Sequence, residues 1–294
     1  MAGKREVLER LERFLVSEGF AVCRFRGCFD LAAKRGEIFL FKVLFDLGSL
    51  SREHAKNLKI LSGALSAYPF AIGVVSKGER LLDGVIYERF GIPSVSLETV
   101  KKIISEGSVP AVYRDRGGFF VEIDPELLRA ARKRHGISRS ELASMLGLSK
   151  KAVYHHERTS SRMLLGTAML LEELFGRVCA EFRPRIFEES GSPKDEFERR
   201  TASELERLGF ETNFASFAPF DVVATDRVTV LSEVEASASR LRKRAEIFRR
   251  FIAFTGKPGF IVSEKKPRES SVPVILRKEL KKFSSGTELI ETIS

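Results

Sequence analysis

A short run of cationic and aromatic side chains near the middle of the chain has the residue types that contact nucleic acid. The run reads KKAVYHHER from Lys150. Its lysines and arginine could neutralise phosphates, and its tyrosine and histidines could reach base edges. Residues 125–185 carry 12 Lys and Arg against 6 Asp and Glu, whereas the segments before and after carry net charges of only +3 and +1. Such a concentrated positive segment predicts contact with a phosphate backbone.

Helix-start signals precede this run and would position it. Asp124 followed by Pro125 is typical of a helix N-terminus, because an aspartate can cap the first turn and proline needs no hydrogen-bond partner there. Ser138, with Glu141 three residues later, has the spacing of a capping box at the start of a second helix. These signals predict two short helices before the cationic run.

A glycine turn and a third cap place the run itself on a helix. Gly147 predicts a break, because a residue without Cβ adopts a positive φ most easily. Ser149 is the predicted cap of a third helix over 150–158. Apolar residues at helical spacing predict a fourth helix over 163–175. Two short helices joined by a tight glycine-containing turn have helix-turn-helix geometry.

The spacing of Ala143, Gly147 and Val153 agrees with that geometry, because the crossing helices need a small residue, a turn glycine and an apolar anchor. Residues Leu128 to Phe175 resemble the Cro/lambda-repressor-type helix-turn-helix domain. The matching positions are Arg129, Arg132, Gly136, Ser138, Glu141, Leu142, Ala143, Leu146, Gly147, Leu148, Ser149, Val153, Tyr154 and Glu157. With RGGFFVEID from Arg116 and CFDLAAK from Cys28, the whole chain resembles the archaeal "putative HTH-type transcriptional regulatory protein" family.

This resemblance implies a DNA contact for each exposed residue of the span Arg139 to Arg158. The third helix would lie in the major groove, and the start of the second would meet a phosphate. The expected DNA-binding residues are Arg139, Ser140, Ser149, Lys150, Lys151, Tyr154, His155 and Arg158. The alternative is that the lysine pair and Arg158 form only a solvated helix face. His156 is interpreted as a half-buried packing residue.

The outer thirds of the chain alternate helix and strand signals and resemble one another. EVLERLERFLVSEGF from Glu6 aligns with EFERRTASELERLGF from Glu196. At a constant offset of 191, Asp30 falls opposite Asp221 and Lys42 opposite Glu233. The predicted domains are therefore an α/β unit at 1–117, a helix-turn-helix domain at 118–185 and a degenerate copy of the first unit at 186–294. The expected fold class is two restriction-endonuclease-like α/β units flanking an all-α, lambda-repressor-like bundle.

The repeated unit suggests a second hypothesis, because the order helix, strand, Asp, strand with an internal Lys, helix, strand resembles restriction-endonuclease-like domains. Their sites need a second acid two residues before the lysine to hold Mg²⁺. Leu40 stands at that position in the first copy, and Glu235 stands at the lysine position of the second. Both copies are therefore expected to be inactive, unless Glu37 supplies the missing carboxylate. The arginine-rich stretch 240–250 is interpreted as a solvated helix face or as an extension of the DNA footprint.

The expected function is sequence-specific DNA-binding transcriptional regulation without enzymatic activity. A Mg²⁺-dependent nuclease and a non-catalytic interaction scaffold are the alternatives. No catalytic residue, metal site or cofactor is expected, since the sequence has no P-loop, zinc spacing or nucleophile motif. The expected partners are double-stranded DNA and a second copy of the chain on a near-palindrome, with no membrane and no identifiable small-molecule effector. Three irregularly spaced cysteines favour a reducing cytoplasm.

Overall fold

A computed structural model describes residues 3–107, 109, 111–234, 238–267 and 270–293, and within 238–243 it describes the backbone alone. The first stretch alternates helix and strand as the sequence predicts. Ser51 accepts a hydrogen bond from the His54 amide, and Ser66 adopts φ 51°, so the second helix begins and ends at these residues. The elements are α1 Lys4–Ser17, β1 Ala21–Arg24, β2 Leu31–Arg35, β3 Glu37–Val43, α2 Arg52–Leu65 and β4 Ala67–Ile72.

Shorter elements follow. Ser96 caps the helix of this stretch by accepting from the Thr99 amide, and the αL residue Gly107 ends it. The elements are β5 Val75–Ser76, β6 Glu79–Arg80, β7 Tyr87–Arg89, β8 Ile92–Val95 and α3 Leu97–Glu106. Strand β8 pairs with the end of β4 in parallel, and β7 pairs with β8 in antiparallel orientation.

The central stretch mixes short helices with an antiparallel sheet. The elements are β9 Val112–Asp115, β10 Gly118–Ile123, α4 Pro125–Arg134, α5 Arg139–Leu146, α6 Lys150–His156, β11 Ser161–Leu164 and α7 Leu165–Phe175. The sheet has the strand order β11-β10-β9. Its first hairpin turns at Gly117, at φ 94°, where the sequence suggested a domain boundary.

The predicted all-α, lambda-repressor-like bundle is therefore wrong. The residues expected to begin its fourth helix form β11 instead, where Met163 pairs with Val121 of β10. Val121 and Met163 belong to the same buried cluster as Leu128 of α4 and Leu142 of α5. The four helices α4 to α7 therefore share one core with the sheet, which supplies one side of it.

The last stretch repeats the order of the first. The elements are α8 Glu196–Arg207, β12 Glu211–Phe214, β13 Val222–Thr225, β14 Thr229–Val234, α9 Ala238–Thr255, β15 Gly259–Ser263, β16 Val274–Leu276, α10 Arg277–Leu280 and α11 Gly286–Ile293. Strands β12, β13 and β14 pair in antiparallel orientation, and β15 and β16 extend the sheet in parallel.

The chain forms two compact units that are not contiguous in sequence. The first comprises Met1–Leu44, Ser49–Phe70 and Arg185–Ser294, and the second comprises Phe45–Gly48 and Ala71–Pro184. The predicted division into 1–117, 118–185 and 186–294 stays a prediction about sequence segments. None of the helices in the described ranges has the length and hydropathy needed to cross a membrane.

The two α/β stretches pack on each other within the first unit. The Cys28 amide donates to the Phe217 carbonyl at 2.8 Å, and the Ser216 amide donates to Asn57 Oδ1 at 2.6 Å. Lys34 Nζ donates to the Thr255 carbonyl at 2.8 Å, at the negative end of the α9 dipole. These contacts join the two copies of the repeated pattern into one body.

Candidate functional site

Local sequence signals build the turn between α5 and α6. Ser138 Oγ accepts from the Glu141 amide while the Glu141 carboxylate accepts from the Ser138 amide, which completes the predicted capping box. Gly147 adopts φ 65°, and the Leu148 amide then donates to the Ala143 carbonyl. The next helix therefore starts directly after the turn.

Buried side chains fix the rotation of α6 about its axis. Val153 is 1% exposed and packs in the cluster that contains residues of α4 and α5. His156 is also buried, with the Ser161 hydroxyl 2.6 Å from its Nδ1, and burial lowers the pKa of the imidazole. The interpretation of His156 as a packing residue is thus confirmed. With these two side chains inward, the opposite face of α6 is turned to solvent.

A buried ion-pair network, which the sequence analysis did not predict, connects the three helices. Glu157 is 2% exposed and binds Arg132 of α4 and Arg139 of α5, with Arg139 Nε 2.5 Å from Glu157 Oε2. Burial raises the pKa of Glu157, but the hydrogen bonds from the two arginines outweigh it, and the pKa lies below its ordinary value. Glu157 is therefore ionised and holds α4, α5 and α6 in register.

The outward face of α6 carries the cationic run. Lys150, Lys151, His155 and Arg158 are exposed, and Tyr154 is 42% exposed. Of the carboxylates in the described part of the chain, none forms an ion pair with either lysine. Arg158 Nη1 donates to the Tyr154 hydroxyl at 2.5 Å, which orders both side chains. This face therefore presents lysine charges that form no ion pair with a described carboxylate.

The remaining predicted DNA-binding residues lie beside this face. Arg139 stacks over the Tyr154 ring at 5.1 Å while its Nε is bound to Glu157, so only part of its guanidinium is free. The Ser149 hydroxyl accepts from the Ala152 amide at 3.1 Å and so serves as the helix cap. Ser140 is exposed on the first turn of α5.

The first nuclease-like position, around Asp30 and Lys42 in the first copy of the repeated unit, contains one acid and two lysines. Asp30 Oδ2 accepts from the Val43 amide at 2.9 Å, and Oδ1 accepts from Lys4 Nζ at 2.9 Å. Lys42 Nζ lies 3.6 Å from Asp30 and donates to the Gly27 carbonyl at 2.6 Å. Burial lowers the pKa of Lys42, and the nearby Asp30 opposes this shift. Both oxygens of the Asp30 carboxylate are therefore bound by donors of its own chain.

Glu37 does not supply the missing second acid. Leu40, which occupies its sequence position, is fully buried. Glu37 lies five residues before Lys42 on β3, about 16 Å along an extended strand, and its carboxylate accepts from the Tyr68 hydroxyl. In the described residues, no group of three or more His, Cys, Asp and Glu side chains could hold a metal ion.

The second nuclease-like position has the same backbone register and different charges. The Asp30 amide donates to the Phe41 carbonyl, and the Asp221 amide donates to the Ser232 carbonyl. Donor and acceptor of the second bond each lie 191 residues after those of the first. Asp221 Oδ2 accepts from the Val234 amide at 3.0 Å, just as Asp30 accepts from Val43. The equivalence proposed from sequence is therefore reproduced in the hydrogen bonding.

Here three acids are held by two cations, because Lys194 also forms an ion pair with the buried Glu198. Asp221 Oδ1 accepts from Lys194 Nζ at 2.8 Å, and Arg244 Nη2 reaches both Asp221 and Glu233. Burial raises the pKa of Glu233 to about 8, and the neighbouring Asp221 adds to the shift. Glu235, expected at the lysine position, lies outside the described residues, and the backbone register instead places Glu233 opposite Lys42. The acids and cations of this position therefore bind one another within the chain.

Comparison with known proteins assigns a family to this architecture. A protein from Pyrococcus abyssi named "Putative HTH-type transcriptional regulatory protein" is 33% identical over 99% of this chain and 97% of its own length. Proteins of the same name from Thermococcus gammatolerans and Pyrococcus furiosus are 34% and 35% identical, each over 99% of this chain. The chain belongs to this archaeal family. The family name gives a helix-turn-helix type without a Cro/lambda assignment.

A second comparison concerns the first α/β stretch. The model of the PD-(D/E)XK superfamily domain matches residues 4–110. This match agrees with the α/β elements from α1 to α3 and with the restriction-endonuclease-like order expected from the sequence. No solved structure matches the chain.

Proposed function

We propose that this member of the family is a sequence-specific DNA-binding regulator of transcription that inserts α6 into the major groove. The observation that supports it is the solvent-facing row of Lys150, Lys151, Tyr154 and Arg158, held outward because Val153 is buried on the opposite side. A short helix with a fixed rotation and a cationic face has the geometry by which such motifs read DNA. The names of the relatives are consistent with this role.

Each exposed residue then has a distinct task. Lys150 and Lys151, on the first turn of α6, bind phosphates or guanine edges. Tyr154 acts one turn later and Arg158 acts just beyond the end of α6, and their mutual hydrogen bond already orders both side chains. His155 and Ser140 contact the flanking backbone. A homodimer would place two α6 helices on half-sites about 34 Å apart, so the operator should be a near-palindrome.

A selection from random-sequence duplex DNA tests this proposal. The wild-type chain should enrich one near-palindromic motif. The double variant Lys150→Ala/Lys151→Ala should enrich none, and Lys281→Ala/Lys282→Ala, which removes two adjacent lysines elsewhere on the surface, should enrich the same motif as the wild type. Failure of enrichment in both double variants, or in neither, would refute the role of α6.

We also propose that neither α/β stretch cleaves DNA. The first position has a single carboxylate whose oxygens are already bound, and the second is closed by Lys194 and Arg244. The matching superfamily domain is the observation that keeps a nuclease under consideration. Supercoiled plasmid incubated with the chain and Mg²⁺ should stay intact. Cleavage that disappears in Asp30→Asn would establish the nuclease instead.

A further inference from the structure

A cavity in the first unit has no role in the proposed function. It has a volume of about 960 Å³ and lies over the first nuclease-like position, between α1, β1 and α9. This volume is at the upper end of the roughly 300–1,000 Å³ of small-molecule clefts. The cavity can therefore accommodate a ligand of nucleotide size.

Some of the cations that line this cavity form ion pairs with carboxylates of the chain, and others do not. Lys4 and Lys42 are held by Asp30. Arg5 and Arg24 are held by Glu9 and Glu12 respectively, through ion pairs of α1 and β1.

Two guanidinium groups remain. Arg26 and Arg250 line the same cavity and are both exposed, and no carboxylate among the described residues forms an ion pair with either of them. A guanidinium matches the geometry of a phosphate with two parallel N–H donors. The free charge at the cavity is therefore suited to a phosphate group.

The other wall of the cavity is apolar and aromatic. The Phe25 ring lies 5.0 Å from that of Phe29, which lies 6.0 Å from the ring of the buried Phe251. Ile247, 45% exposed, lines the same wall. A supported aromatic ring of this kind can stack on a nucleobase.

From this juxtaposition we propose that the cavity binds a small nucleoside phosphate, with its phosphates on Arg26 and Arg250 and its base against Phe25. Two free cations match a mononucleotide, whereas duplex-binding surfaces commonly contact about 6–10 phosphates. A neighbouring cavity of about 540 Å³ beside Asp221 shares Phe25, Arg26 and Ile247 with this one. Arg250 is not among its lining residues, and its other two cations, Lys194 and Arg244, are held by Asp221.

Isothermal titration calorimetry of the full chain tests the proposal with adenosine diphosphate, pyrophosphate, adenosine and an oligothymidylate strand as probes. Adenosine diphosphate should bind saturably and more tightly than pyrophosphate or adenosine. Arg26→Ala and Arg250→Ala should each weaken it about tenfold or more. Arg249→Ala, which removes a neighbouring arginine that is bound to Glu246, should not. Phe25→Ala should weaken adenosine diphosphate and leave pyrophosphate unchanged.

Three results would overturn the proposal: no saturable heat with adenosine diphosphate, equal weakening in Arg249→Ala and Arg250→Ala, or tighter binding of the oligothymidylate strand with displacement of the nucleotide. The last would make the cavity a strand-binding site. The variant Lys150→Ala/Lys151→Ala should bind adenosine diphosphate as the wild type does. Nucleotide binding and duplex recognition can therefore fail independently.

Discussion

The cations of α6 and those of the two nuclease-like positions differ in whether they form ion pairs with acids of the chain. Lys150 and Lys151 face solvent with no described acid beside them, whereas Lys42 and Arg244 are bound by carboxylates of their own chain. An unpaired exposed cation can exchange its counterions for DNA phosphates, and a paired one must first lose its partner. The contrast supports the proposal that the helix-turn-helix segment recognises DNA and that the degenerate nuclease-like sites serve structural cohesion.

The largest expected effect is a loss of stability on disruption of the buried ion-pair network that Glu157 forms with Arg132 and Arg139. Glu157→Gln would leave Arg132, which is 8% exposed, as a buried charge without an ionised partner. Removal of one member of a buried ion pair typically costs about 3–5 kcal/mol. Urea denaturation should report this decrease in the free energy of unfolding of the second unit.

The exposed Glu173→Gln is the matched control and should change the unfolding midpoint little. A decrease below about 1 kcal/mol in Glu157→Gln, the level of a surface pair, would mean that the network does not hold α4, α5 and α6 together.

An intermediate effect is expected from pH, which should change the stability contributions of Glu233 and Glu157 in opposite directions. The pKa of Glu233 is raised from 4.5 to about 8, so the folded chain retains a proton that the unfolded chain releases. Its contribution to stability is complete below about pH 4.5 and is lost as the pH rises to about 8. The lowered pKa of Glu157 acts in reverse: its contribution is present above pH 4.5 and is lost as the pH falls through the folded-state pKa.

Urea midpoints measured between about pH 5 and 8 test the Glu233 part of this contrast. The wild type should lose stability towards pH 8 relative to Glu233→Gln, which cannot titrate, while the exposed Glu211→Gln should follow the wild type. Parallel curves for wild type and Glu233→Gln would show that Glu233 has an ordinary pKa.

The smallest effect is expected from Asp30→Asn. This change removes the charge that holds Lys4 and Lys42, and so it adds net positive charge next to the first cavity. If DNA bound there, its affinity should rise. With recognition confined to α6, duplex affinity measured by fluorescence anisotropy should stay within about twofold of the wild-type value.

Short-range signals in the sequence predicted the starts of α2 and of the three helices α4 to α6. The caps at Ser51, Asp124, Ser138 and Ser149 form hydrogen bonds within three residues, so each can be recognised from local spacing. The offset of 191 between the two α/β stretches also holds in the backbone register. Repetition of residue types along the chain is visible without any knowledge of the fold.

Long-range pairing was not predictable in the same way. Ser161–Leu164 has apolar residues that suit a helix, and only its pairing with β10, about forty residues earlier, makes it a strand. The Arg132–Glu157 pair joins residues 25 apart. Arg26 and Arg250 face one cavity only because α9 packs on β1. Such contacts depend on the tertiary fold rather than on local pattern.

The salt dependence of duplex binding tests the role of α6 most directly. For a selected duplex, the slope of log affinity against log salt concentration becomes shallower by about 0.9 for each phosphate that the protein no longer neutralises. The account predicts a decrease of about 2 in Lys150→Ala/Lys151→Ala and none in Lys281→Ala/Lys282→Ala. An unchanged slope in the α6 variant, or equal decreases in both variants, would contradict it.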